Sequence, residues 1–208
     1  MRVSKQFDAK YIDKEFEKIG ARVKALVSVY LIGGCAMSFR GLKESTKDID
    51  LVFKNTRDCR LFCYALFGAQ YYEHHAIKPE HKGLKATVMY ENRDGLHLDL
   101  FVGRVMKKLA LSSSMIKRAE LHKVYKNLKV FLLSPTDVFL FKGLASEERK
   151  RDLPDMQVLY PLVDWNVLVR ELKSQKLAGQ LIAWLVRRLE EFRQTYKLDV
   201  PVSRIMKL

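Results

Sequence analysis

Two short apolar runs, VSVYLI (27–32) and DIDLVF (48–53), constrain this chain more than any other feature. The first is β-branched and uninterrupted, as a buried strand should be, and it stops at Gly33-Gly34. CAMSFRGLK then suits a short helix. The second run alternates: Asp48 and Asp50 share one face of a strand, about 6.6–6.8 Å apart along it, while Ile49, Leu51 and Phe53 point into a core. Strand, Gly-Gly, short helix and returning strand bring both turns to one rim.

Two carboxylates side by side repel each other unless something positive lies between them. A hard divalent cation held by oxygen ligands is the usual remedy. A third acid, Asp99, stands in the middle of LHLDLFV, where an apolar strand has no ordinary use for a charge. Beside the Asp48/Asp50 strand it would complete a cluster able to hold two Mg²⁺ ions, and His97 shares its face as a possible accessory. Glycine lets a phosphate approach the backbone closely, and a helix start offers free N–H groups. Gly33 and Gly34 are therefore phosphate-binding candidates. Arg40, Lys43 and Lys47 lie between them and Asp48, and one of these could neutralise phosphate.

The remaining pattern predicts an amphipathic helix over 8–26, a helix over 57–67, a hairpin with strands 84–90 and 96–102, and a strand over 128–133. Ser134-Pro135-Thr136 marks a helix start. From there the chain reads as helical to about residue 197, with breaks near Pro154, Pro161 and Gly179. Strands before residue 134 and helices after it predict an α/β (α+β) fold. A mixed sheet with flanking helices would occupy residues 1–134 and a helical region 135–208.

The chain has 208 residues, 48% of them hydrophobic, and a net charge of +14. That is enough apolar material for a packed core, and no run approaches the roughly 20 residues of a membrane span. The N-terminus lacks the apolar core of a secretory signal. Three cysteines, Cys35, Cys59 and Cys63, do not suggest a disulfide scaffold. A cytoplasmic protein with a polyanionic partner is the expectation. The charge is densest over 105–129, where Lys107, Lys108, Lys117, Arg118, Lys123, Lys126 and Lys129 face only Glu120. The stretch reads either as a solvated helical face or as a track for a phosphate backbone. His74, His75 and His81 read as a solvated loop.

LIGGCAMSFRGLKESTKDIDLVF resembles the signature of the DNA polymerase β-like nucleotidyltransferases: hydrophobic-Gly-Gly, a helix, then Asp-x-Asp. The form is most similar to small prokaryotic members and to type IV abortive-infection toxin nucleotidyltransferases. The resemblance covers residues 27–102. It implies that Asp48 and Asp50 bind metal, that Asp99 completes the site and assists the attacking hydroxyl, and that Gly33-Gly34 binds the triphosphate. Where many members carry serine beside the glycines, this chain has Cys35. A second match, in 135–156, is a helical Lys followed by Arg-Asp-x-x-Asp. It implies that Lys142 contacts phosphate, with Arg151, Asp152 and Asp155 as accessories. The function so implied is Mg²⁺-dependent transfer of a nucleoside monophosphate from an NTP to an acceptor oxygen. The basic second half points to RNA, and the resemblance to the toxin relatives implies a tRNA 3′ end as the acceptor and an antitoxin protein as a partner. A non-catalytic nucleotide- or RNA-binding protein on the same fold is the alternative, as is transfer to a small molecule or a protein hydroxyl.

Overall fold

Local signals place most elements in the computed structural model, which describes residues 5–73, 88–144 and 152–208. Strand β1 (Phe7–Asp8) leads into helix α1 (Ala9–Gly20), whose N-cap Asp8 accepts from the Tyr11 amide at 2.7 Å. Ile12, Phe16 and Ile19 form its buried stripe. The helix ends at Gly20, six residues short of the expected 26. There it runs against the chain near Tyr125, leaving no room for a Cβ. Strand β2 (Val27–Ile32), helix α2 (Gly33–Phe39), β3 (Ser45–Thr46) and β4 (Asp48–Phe53) follow, then α3 (Thr56–Gly68), capped by Asn55. Next come β5 (Tyr71–Glu73), β6 (Val88–Asn92) and β7 (His97–Val102); the turn between the last two carries Gly95 at φ +87°. The early part of the expected 84–90 strand, the histidines 74, 75 and 81, and Arg151 lie outside the described residues.

Between 104 and 132 the chain is not the continuous helical face that its charge allowed. It forms β8 (Arg104–Val105), β9 (Leu109–Ala110), the short α4 (Ser113–Arg118), β10 (Glu120–Tyr125) and β11 (Leu128–Leu132). The rest is helical: α5 (Pro135–Gly143), α6 (Asp152–Leu159), a 3₁₀ turn (Tyr160–Leu162), α7 (Trp165–Gln175), α8 (Gly179–Tyr196) and α9 (Val202–Met206). Pro154 does not break a helix; it sits in the first turn of α6, where no intrahelical N–H bond is lost.

The main sheet is mixed, in the order β10-β11-β2-β4-β7-β6-β5. β2 runs antiparallel to β4, and β4 parallel to β7. Helix α5 is buried from Thr136 to Gly143 and lies against α2, α6, α7 and α8. One hydrophobic cluster therefore runs from Phe7 to Ile205, through residues on both sides of position 134. Among the described residues no helix is long and apolar enough to cross a membrane.

Candidate active site

Register decides the geometry. Asp48 lies opposite His97 and Asp50 opposite Asp99 across the parallel β4–β7 pair. Paired residues of neighbouring strands stand about 4.8 Å apart and on the same face. The three acids expected from the sequence are thus neighbours, with Asp50 opposite Ile32 on the other side.

The next residue, Gly33, has φ +64°, a conformation that costs other residues about 1–2 kcal/mol. A Cβ at this position would fall onto Asp50 Oδ2. At Gly34 a Cβ would lie 2.7 Å from Thr46 Oγ1. That hydroxyl donates to the Asp48 carbonyl at 3.0 Å and fixes the entry to β4. The Gly-Gly pair is required because carboxylate and threonine crowd the backbone on both sides.

These residues line a cavity of about 270 Å³. Of the residues singled out from the sequence, Gly33, Gly34, Lys47, Asp48, Asp50, Lys142, Asp152 and Asp155 line it. Ile32, Val105, Met106 and Phe141 give it an apolar wall. Gln6, Lys43, Ser45 and Thr46 complete the polar side, and the Ser45 hydroxyl donates to the Gln6 side chain. Gln6, Ser45 and Thr46 were not picked out from sequence. They arrive through the two-residue β1–β3 pairing, too short to leave a periodic trace.

Other expected residues lie elsewhere. Arg40 caps the C-terminus of α2 and turns away, donating to Glu120 at 3.2 Å and to the Leu132 carbonyl at 3.4 Å. Asp99 has no exposed surface and does not line the cavity, although it stands beside Asp50 across the strand pair. His97 is also off the wall, its Nε2 3.6 Å from Glu91 Oε1. Cys35 is fully buried; burial, helped by the charges of Asp50 and Asp48, pushes its thiol pKa well up.

Lys142 is 7% exposed, and its ammonium donates to Asp152 at 3.1 Å and to Asp155 at 2.6 Å. Burial alone would drive it toward neutrality, but the two carboxylates outweigh that and hold its pKa above the ordinary lysine value. Asp155 shows the converse. Burial raises its pKa, but Lys142 and Lys43 outweigh this and hold it below the usual carboxylate range.

A hard cation fits the donor set: Asp48 and Asp50 offer oxygen ligands on one wall beside a glycine backbone. Among the described residues no three His, Cys, Asp or Glu side chains form a closed metal cage. Magnesium does not need one, because it is commonly held by one or two carboxylates together with substrate phosphates.

The same architecture recurs in a protein of known structure. An antigenic nucleotidyltransferase-like protein from Paracoccidioides brasiliensis superposes with a TM-score of 0.52, covering 98% of this chain and 95% of that one at 15% identity. The fold is that of the nucleotidyltransferases. Two other solved structures are similar at lower scores. They are the lincomycin-bound lincosamide antibiotic adenylyltransferase LnuA (TM-score 0.46, 17% identity, 74% of this chain and 95% of that one) and JHP933 from Helicobacter pylori (0.43, 15%, 96% and 92%). No protein-family model matches the chain, and no curated protein matches it by sequence. In this nucleotidyltransferase fold the Gly-Gly turn and the Asp-x-Asp strand share the rim of one cavity.

Proposed function

We propose that the protein is an Mg²⁺-dependent nucleotidyltransferase that moves a nucleoside monophosphate from an NTP to an acceptor oxygen and releases pyrophosphate. One observation carries this reading: Asp48 and Asp50 share a cavity wall with the crowded Gly33-Gly34 backbone, and lysines surround it. Asp48 and Asp50 would hold the metal with the substrate phosphates. Bound there, Mg²⁺ would neutralise phosphate charge and lower the pKa of an acceptor hydroxyl. Asp99, buried beside Asp50 on the neighbouring strand, would complete the carboxylate site next to that ligand. Lys43, Lys47 and Lys142 supply positive charge for the triphosphate, and the apolar wall of Val105, Met106 and Phe141 suits a nucleobase or sugar face. Catalysis is then positioning and charge neutralisation.

The acceptor reading rests on charge. Within 105–129, Lys108 bonds the Leu144 carbonyl at 2.8 Å, Arg118 is held by Asp137 and Glu171, and Lys123 by Asp13 and Glu17. Lys126 reaches the Ala21 carbonyl at 3.4 Å; Lys107 and Lys117 remain exposed and, with the net charge of +14, favour RNA. Incubation with each labelled NTP and total RNA tests both parts. Transfer of label to RNA supports the full reading, and transfer only to a small molecule or protein replaces the acceptor. Metal-dependent NTP binding with no transfer to any of these would point instead to a binding protein.

A further inference from the structure

Lys43 and Lys142 are 99 positions apart in the chain, yet one carboxylate bridges them. Asp155 accepts from Lys43 Nζ at 3.0 and 3.1 Å through its two oxygens, and from Lys142 Nζ at 2.6 Å. All three side chains line the cavity that holds Asp48 and Asp50. Lys43 Nζ also lies 3.9 Å from the point where a Cβ on Gly34 would stand, so the ammonium hovers over the Gly-Gly backbone. Two ammoniums that one small oxyanion can bridge form a subsite of the size and charge of a phosphate group.

We propose that Lys43 and Lys142 together form an anion subsite for the terminal phosphates of the nucleotide, and that Asp155 is its resident counter-ion, displaced when the nucleotide enters. The proposal rests on the nucleotidyltransferase reading and adds to it the partnership of Lys43 and the role of Asp155. The carboxylate keeps two cations in place without a bound anion; Lys142, nearly buried, retains Asp152 at 3.1 Å when Asp155 swings away. Lys43 is more exposed, at 36% of its side chain, so it can follow the phosphate. Nucleotide binding then exchanges one set of charge-assisted hydrogen bonds for another, and affinity depends on how strongly Asp155 competes.

The test is calorimetric titration with inorganic tripolyphosphate in the absence of divalent metal, which isolates the lysines from the carboxylates of β4. Lys43→Gln should weaken binding by about 10-fold or more, the loss of a charge-assisted contact, and Lys43→Arg should restore most of it. Asp155→Asn, checked for native unfolding temperature, should bind tripolyphosphate about 5-fold more tightly, because an amide competes less well than a carboxylate for two ammoniums. Unchanged affinity in Lys43→Gln, or weaker binding in a folded Asp155→Asn, overturns the proposal. These outcomes are separate from the catalytic reading. If the wild type binds tripolyphosphate as described but transfers no nucleotide, that reading fails and the anion subsite stands.

Discussion

Gly33 meets two demands at once, a positive φ and a backbone pressed against Asp50, and a methyl group violates both. Gly33→Ala should therefore cost at least about 1–2 kcal/mol, a fall of about 2–8 °C in unfolding temperature for a chain of this size, and should weaken nucleotide binding as well. Calorimetry with and without NTP measures the two effects. Lys142 makes a prediction with a defined pH window. Lys142→Met leaves Asp152 and Asp155 without their shared cation, and a loss of about 3–5 kcal/mol is expected near neutrality. The depressed Asp155 pKa means that its stabilisation is present above the unfolded value near 4 and is lost as pH falls through the lower folded value. The raised Lys142 pKa works at the other end, where stabilisation is lost only as pH rises above the ordinary lysine range. The gap between wild type and Lys142→Met in denaturant titrations should thus be constant from about pH 5 to 9 and close below about pH 4. Asp48, Asp50 and Asp99 were legible in sequence because charge interrupts an apolar alternation at each. Lys43 was legible only as one of three cations, because its partner lies 112 residues away. Arg40 was misplaced for the same reason: α2 ends at Phe39, and the partners that turn Arg40 aside come from β10 and β11.

Elements with a buried face were read nearly to the residue. VSVYLI, DIDLVF and the strand before Ser134 each have neighbours on both sides, so burial and sequence pattern agree. Residues 105–129 did not yield to the same reading, because counting charges says nothing about their directions. β10 is an edge strand with Leu121 and Val124 exposed and a register shift between Leu121 and Lys123. Lysine and glutamate on such an edge discourage pairing with another chain. Arg118, counted there as surface charge, joins three helices. From the end of α4 its guanidinium donates to Asp137 on α5 at 2.6 Å and to Glu171 on α7 at 2.8 Å. Both carboxylates are about 1% exposed, so Arg118→Ala strands two buried charges, and a loss of about 3–5 kcal/mol is predicted in denaturant unfolding at pH 7. Burial raises the Glu171 pKa, but the bonds from Arg118 and Gln175 outweigh this and leave it lowered. Its stabilisation is present above the unfolded glutamate value and lost as pH falls, so the Arg118→Ala deficit should shrink below about pH 4.

At the scale of the molecule, a mixed sheet brings the Gly-Gly turn and the Asp-x-Asp strand to one rim, and a buried helix from the C-terminal half closes the cavity with Lys142. The sequence predicted the sheet and the helical half, but the continuity of their core depends on how α5 packs against α2, a tertiary fact without a local signal. The central claim is that the Asp-x-Asp strand makes this cavity a site of nucleotidyl transfer. The most direct measurement is transfer of α-labelled NTP in Mg²⁺ by the wild type, Asp48→Asn and Asp50→Asn, with unfolding temperature recorded for each. The account predicts label transfer with pyrophosphate release by the wild type and a loss of about 100-fold or more in either variant, the several kcal/mol that a bound metal contributes, with the fold intact. Full transfer by a folded Asp50→Asn protein would contradict it.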